Sequence, residues 1–518
     1  MTVPELKPFE IILGLPASCI LFLVCRWAYR LSPFHPLAKI PTPSRWACMT
    51  EWFQYYWNGV QDGKLIFETE KWHRQLGPII RIGPNEVHIN DPTFYNTVFT
   101  ANYTFPVHAP AYNWLGLLDT FIASSKSLHR ARRGLITTLF SKSSIYKIEE
   151  KIRKHTANLV NAINPKFEII DKDSEILKIE RGVEPGDGIN MLKLSRRLTA
   201  DIISQYLFGE SFNLLTSDKN IYFLQQIIDT MLSFQQFQFC WPLIYGFSFV
   251  PASFLDRVMP KSLRGFANLA PAIEKHVDAL TLNRSKGKKV NEILLEALVE
   301  GSTKIQLSRH GIVDDSLAII AGGIETTGAT IAEAFYRASI HPNIQARLHE
   351  ELVQAFPRKK DEITLAKAEK IKYLIAFLKE TLRIAPPVPG RLVRVTPAAG
   401  TTYQDTFLPS NTLISMSIYL THMNEDVYQN PHEFDPQRWV NSDPTSPQEK
   451  YFVPFSKGSR ACPAIHLAWA EMIIAIAATF RNYKLRPHPN NKRTSKWTDQ
   501  IARTVVGDLL LISEEYND

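Results

Sequence analysis

Pro454-Phe455-Ser456-Lys457-Gly458-Ser459-Arg460-Ala461-Cys462-Pro463-Ala464 is the stretch on which the reading of the whole chain turns. It places one cysteine at the end of a glycine-containing loop. An apolar, alanine-rich segment, Ile465 to Phe480, follows at once, and its lack of turn signals predicts a buried helix. A thiolate at a helix N-terminus meets the positive end of the helix dipole and unpaired backbone N–H groups, which lower its pKa and suit it to bind a metal. Arg460 adds a fixed cation two residues earlier.

Length alone, at 518 residues, would allow about three domains. No Gly/Ser-rich or charged linker divides the interior, however, and no repeat period is visible. The expected organisation is an N-terminal membrane anchor (1–30), a proline-rich hinge (31–50, with Pro33, Pro36, Pro41 and Pro43) and one large, mostly helical domain (51–518). The five cysteines, Cys19, Cys25, Cys48, Cys240 and Cys462, are odd in number and scattered, which argues against a disulfide framework or a cysteine zinc site. The net charge of +8 is modest, and no nucleic-acid-binding motif accompanies it, so nucleic acid is not an expected partner.

Ile11 to Cys25 is an uncharged apolar run, shorter than the ~20 residues of a comfortable span. Extension to Tyr29, with Arg26 snorkelling, brings it to a plausible length. Glu5, Lys7 and Glu10 precede it and no small-residue cleavage site follows, against a signal peptide. Arg26, Arg30, Lys39 and Arg45 on its C-terminal side put the rest of the chain in the cytosol.

Further along, Ile79 to Ile82 and Val87-His88-Ile89 predict two short strands around Gly83-Pro84. From Leu128 a helix is expected, with His129 and Arg133 on one face. Arg130, Arg132, Lys142 and Lys147 stand nearby, so spacing alone favours a solvated basic face over an anion site. The aromatic density of Phe234, Phe237, Phe239, Trp241, Tyr245, Phe247, Phe249 and Phe254 fits either a core helix pair or a lipophilic entrance at a membrane surface. Asp314 to Ile340 has helical periodicity, but Gly322-Gly323 and Glu325-Thr326-Thr327 interrupt its middle. Each such glycine costs about 1 kcal/mol relative to alanine. Close approach of a ligand or a local distortion is expected there, with an acid and a hydroxyl beside it to pass protons; the plainer reading is a helix crossing at small residues. Glu380 and Arg383 form an i, i+3 pair on a helix that Pro386-Pro387-Val388-Pro389-Gly390 ends, worth little if it lies on the surface. Short strands (Leu392 to Val395, Thr412 to Tyr419) and a loop-rich stretch with Phe434-Asp435-Pro436-Gln437-Arg438-Trp439 lead back to Cys462.

In that order, the anchor and hinge, A-G-G-I-E-T-T, E-x-x-R, F-x-P-x-R-W and the cysteine loop resemble the cytochrome P-450 superfamily over essentially the whole chain. His35 to Pro41 and Gly77 to Pro92 carry a closer resemblance to fungal microsomal, trichodiene-oxygenase-like members. The resemblance implies a mainly α fold with small β-sheets, preceded by one transmembrane helix in the endoplasmic reticulum membrane. It implies haem b (iron protoporphyrin IX) with Cys462 as axial iron ligand, Arg460, Arg394, His129 and Arg133 on the propionates, and Phe455 packed near the proximal side. Glu380, Arg383 and Arg438 would form a buried structural triad. Gly323 would make room for oxygen, and Glu325 and Thr326 would deliver protons.

The expected reaction inserts one oxygen atom into a lipophilic fungal secondary metabolite, terpenoid ahead of polyketide or alkaloid. Electrons would come from NADPH through a separate reductase, steered by Arg130, Arg132 and Lys457. A haem-thiolate isomerase or dehydratase that uses no oxygen is the alternative, and the intact Glu325-Thr326 pair argues against it. Pocket candidates are Phe105 to Leu118, the aromatic stretch, Ile320, Ala321, Pro389 to Leu392 and Val505-Val506. Two departures from the family pattern stand beside the cysteine. Ala464 replaces a commoner glycine, which bears on close backbone approach to the haem. Pro463 has no N–H to donate to the sulfur, which would leave the thiolate more electron-rich.

Overall fold

The computed structural model describes residues 8–112, 120–164, 173–181, 188–232, 261–285, 294–493 and 496–516. The eight aromatics from Phe234 to Phe254, and residues 113–118 of the Phe105 to Leu118 segment, lie outside the described residues.

The 32-residue helix Arg309–Ile340 is the central element. Buried residues run all round it, among them Ile312, Leu317, Ile320, Ile324, Ile331 and Phe335, as befits a helix enclosed by protein. Ser308 caps its start, accepting the Gly311 N–H at 2.9 Å. The helix continues unbroken through Gly322-Gly323, so the expected interruption does not occur. Close packing against the helix Met191–Phe208 takes its place. A Cβ on Gly323 would lie 2.9 Å from Ile203 Cγ1, and one on Gly328 would lie 3.0 Å from Thr199 Oγ1. The Thr199 hydroxyl crosses the same junction to donate to Ile324 O at 2.9 Å.

Helix Ile465–Asn482 follows the cysteine loop as its composition predicts, and helix Lys372–Ile384 carries Glu380 and Arg383. A four-stranded sheet lies to one side, in the order Ile79–Gly83, Glu86–Ile89, Leu413–Ser417, Arg391–Val395. The middle pair is parallel and the outer pairs are antiparallel. The strand expected to reach Tyr419 stops at Ser417, whose hydroxyl accepts the Leu420 N–H at 3.3 Å and starts the helix Ile418–His422. A cap there outweighs the β-propensity of Ile418 and Tyr419. The remaining sheets have two or three strands, so the mainly α fold with small sheets is the one observed.

Helix Pro8–Leu31 leads into the hinge and exposes Ile20, Leu21, Phe22 and Val24. Its end is tied to the main domain: Arg30 Nη1 donates to Met49 O at 2.5 Å, and Arg81 Nη1 to Arg30 O at 3.2 Å. Among the described residues no helix is long and apolar enough to cross a membrane.

Candidate functional site

Backbone bonds shape the cysteine loop. The Cys462 N–H returns to Phe455 O at 2.9 Å, and Ser459 N–H reaches Thr100 O at 3.1 Å. Gly458 has φ +75°, and a Cβ there would sit 2.4 Å from Thr100 O, so glycine is required. Cys462 is half-buried, like its neighbours from Phe455 to Ile465. Burial pushes the thiol pKa up, while the Ala464 N–H and the Arg133 charge oppose it by favouring thiolate. The sulfur therefore has a backbone donor although Pro463 supplies none. Ala464 itself has φ −95° and ψ 21°, ordinary values for an L-residue, so the alanine costs the loop no backbone strain.

Four basic residues from three elements converge beside this loop. Arg133, on helix Lys126–Thr137, donates to Ala461 O at 2.6 Å and Ser459 O at 3.2 Å. Arg460 donates to Phe121 O, Ile122 O and Ser124 O at 3.2, 3.1 and 2.7 Å. Arg394, on strand Arg391–Val395, donates to the Tyr112 hydroxyl at 2.5 Å and stacks over Phe99 at 4.8 Å. His129 is buried, with Nδ1 2.8 Å from the Tyr103 hydroxyl. Burial, then Arg460, Arg133 and Arg394, push its pKa down to about 3, so it is neutral at pH 7. Burial also lowers Arg460 to about 10, and Arg394 and Arg133 add to that.

No carboxylate pairs with these guanidiniums among the described residues; their partners are carbonyl and hydroxyl oxygens. His129 is buried and Arg133 half-buried, so the two do not form a solvated face, and the charge gathered there suits an anionic group. A thiolate-forming cysteine flanked by such a cluster fits the iron and the paired carboxylates of a haem. Phe455 packs with its ring centroid 6.4 Å from that of Trp469, on the helix after the cysteine.

Arg132 does not stand at the surface, where a role in steering a partner would put it. It is buried against Asp315, Nε to Oδ2 at 3.0 Å, and Asp315 also accepts the Phe121 N–H at 2.7 Å. The pair anchors the segment whose carbonyls Arg460 engages. Arg130 is exposed, and Lys457 is half-buried with Nζ 3.1 Å from Asn96 Oδ1.

On the central helix the two adjacent glycines separate in role. Gly322, not Gly323, faces open space: a Cβ there meets nothing within 4 Å, whereas Gly323 is committed to Ile203. Thr326 lies on the Gly322 face and its hydroxyl donates to Gly322 O at 2.6 Å. Glu325 is buried and pairs with Arg196 Nη2 at 2.6 Å; its Oε2 has no hydrogen-bond partner among the described residues. The Glu325 and Thr326 side chains are not hydrogen-bonded to each other.

Glu380, Arg383 and Arg438 do come together. Arg383 grips Glu380 with two bonds of 2.8 Å, and Arg438 Nε reaches Glu380 Oε1 at 3.0 Å. Trp439 Nε1 and the Asp435 N–H complete the carboxylate at 2.8 and 2.9 Å. Sequence reading missed His422. Burial, then Arg383, lower its pKa to about 3, so it is neutral. Its Nε2 accepts the Val453 N–H at 2.9 Å, which leaves Nδ1–H to donate to Arg383 O at 3.2 Å. His422 thus connects the triad to the start of the cysteine loop, and no spacing in the sequence marks it.

A cytochrome P-450 family model matches residues 40–511. The chain is 28% identical over 502 residues to the cytochrome P-450 monooxygenase macH of Penicillium terrestre, covering 94% of each chain. It is 28% identical over 483 residues to the cytochrome P-450 monooxygenase TRI4 of Fusarium sporotrichioides, covering 92% of this chain and 89% of the relative. It is 27% identical over 493 residues to the fusicoccadiene C-8 hydroxylase of Phomopsis amygdali, covering 92% and 90%. A match that runs from the hinge to the last strand, shared at this level with fungal monooxygenases, leaves one conclusion: the chain is an oxidoreductase and belongs to the cytochrome P-450 family.

Proposed function

We propose that the protein is a membrane-anchored haem-thiolate monooxygenase that oxidises a lipophilic fungal secondary metabolite, a terpenoid first of all. The convergence of Arg133, Arg394, Arg460 and His129 on the cysteine loop, with no carboxylate among the described residues to neutralise the three arginines, carries the reading. Haem b, when bound with a thiolate, supplies the iron at which dioxygen is activated. Cys462 Sγ would hold the iron, and the Ala464 N–H and the Arg133 charge already favour the thiolate that this needs. The guanidiniums of Arg133, Arg394 and Arg460 would hold its carboxylates, with His129 neutral beside them. Phe455, packed against Trp469, would lie on the cysteine side of the group.

Opposite, Gly322 leaves the helix face bare and Thr326 Oγ1 stands on that face to relay a proton. Glu325, with one oxygen fixed by Arg196, would be the carboxylate of that relay. The fusicoccadiene C-8 hydroxylase is a relative that hydroxylates a diene, which supports the terpenoid class. The apolar run Ile11 to Cys25 would be the single-pass anchor in the endoplasmic reticulum membrane, with the main domain cytosolic. The described helices alone do not make a span, and the exposed Ile20, Leu21, Phe22 and Val24 are what supports the anchor. NADPH–cytochrome P-450 reductase supplies the electrons, and exposed Arg130 offers it a cation.

The reduced protein with carbon monoxide should give the red-shifted band of a thiolate-bound haem, and Cys462→Ser should abolish it. Membranes carrying the protein should consume NADPH and oxygen only with substrate present. Absence of the band would overturn the haem-thiolate assignment. A band without oxygen consumption on any terpenoid, polyketide or alkaloid tested would overturn the monooxygenase reading alone.

A further inference from the structure

A second charged site lies between the central helix, the helix Met191–Phe208 and the hairpin formed by Trp497–Gln500 and Ala502–Val505. It is a cavity of about 20 Å³, lined by Arg196, Glu325, Glu333, Arg493 and Arg503 among others. That is room for about one water-sized occupant. Glu333 is buried and takes three guanidiniums: Arg337 at 2.8 Å, Arg493 at 2.6 Å and Arg503 at 3.1 Å. Burial opposes its ionisation, yet Arg503, Arg337 and Arg493 together hold its carboxyl well below the usual range. Glu325 neutralises Arg196. Four arginines against two glutamates leave two positive charges over. Arg337 is 15% exposed and in part solvated, whereas Arg493 and Arg503 are buried, so at least one surplus charge sits at the cavity.

The hydrogen bonds tell the same way. Among the described residues, Arg196 Nε, Arg493 Nε and Nη1, and Arg503 Nε are buried donors without an acceptor, and of the lining carboxylates only Glu325 has an oxygen left over, Oε2. One water accepts two hydrogen bonds, can donate to Glu325 Oε2 and brings no charge. A halide donates nothing to Glu325, but it accepts from every guanidinium and brings the charge that is missing.

We propose that this cavity binds a small monovalent anion of the chloride class, held by Arg493, Arg503 and Arg196 beside Glu325. The ion pins the Trp497–Val505 hairpin to the central helix. The site does not depend on the cysteine-loop assignment, although it shares Arg196 and Glu325 with the proton relay proposed above.

The test uses the full-length, haem-loaded protein, melted at constant ionic strength in sodium chloride, sodium bromide or sodium gluconate. Halide should raise the melting temperature saturably by about 2 °C, and gluconate should not. Arg493→Lys keeps the charge but loses the unpaired Nε–H and Nη1–H, and should need ~10-fold more halide for half the effect. Arg503→Lys is read in the same way if Arg493→Lys does not fold. Crystals soaked in bromide should show an anomalous peak within hydrogen-bond reach of Arg493 and Arg503. Equal melting temperatures in all three salts would overturn the proposal. So would a water without anomalous signal, or a peak without a melting shift, which is an adventitious ion only.

Discussion

Beside Cys462, two substitutions from the commoner pattern have different weights. Ala464 sits at φ −95°, where glycine has no advantage, and its N–H serves the sulfur. Pro463 withholds the other nearby N–H. Pro463→Leu should move the iron reduction potential upward, because a further donor withdraws electron density from the thiolate. Spectroelectrochemical titration reads the shift; an unchanged or lower potential would show that the Ala464 donor is all the sulfur uses. At this scale the sequence spoke clearly where the chemistry is contiguous, from Phe455 through Gly458 and Arg460 to Cys462. It was silent on His422, whose meaning depends on Arg383 and Val453 folding onto its two ring nitrogens. The Asn analogue isolates one of those bonds. His422→Asn leaves the buried Val453 N–H without an acceptor and should cost about 1–3 kcal/mol in denaturant unfolding.

Among the elements, the central helix shows how far pattern reading reaches. Its 3.6-residue period and its small residues are visible in the sequence, and the plainer reading of a helix crossing is half of the truth. Which of two adjacent glycines meets a neighbour is not visible, because the answer is Ile203, on another helix. Gly323→Ala should therefore destabilise by about 1–3 kcal/mol through overpacking. Ile203→Ala in the same chain should make the two losses less than additive, a double-mutant cycle read by thermal unfolding. Gly322→Ala should instead raise stability by roughly 1 kcal/mol, since its methyl meets nothing and the helix gains propensity. It should also weaken substrate binding, read from substrate-induced haem spectra, because the methyl enters the open space. If Gly322→Ala lost stability and Gly323→Ala did not, the assignment of the two faces would be reversed.

For the whole molecule, the buried triad and the buried histidines set the limits. Glu380 takes five hydrogen bonds from Arg383, Arg438, Trp439 and the Asp435 backbone. Glu380→Gln leaves two cations around a neutral group and should cost about 3–5 kcal/mol, seen as loss of folded haem-bound protein. His129 and His422 have folded pKa values of about 3, and His73 of about 4, against 6.5 in the unfolded chain. Between those values the unfolded chain binds the protons first. Their contribution to stability is therefore complete above pH 6.5 and is lost as pH falls toward 3. Denaturant unfolding across that range should show stability falling with acid, with a slope that His422→Asn flattens by up to about one proton. The mainly α architecture was legible because long periodic segments report burial directly. The charged clusters around Glu333 and Asp315 were not, because their members come together only in three dimensions.

The division of labour on the central helix has an evolutionary consequence. One side is locked into Ile203 and Thr199 and tolerates almost no change in volume. The other, along Gly322 and Thr326, borders open space and bears little of the packing. Mutations that reshape what fits there are uncoupled from mutations that unfold the protein, so the chain can drift toward new substrates while its scaffold stays under constraint.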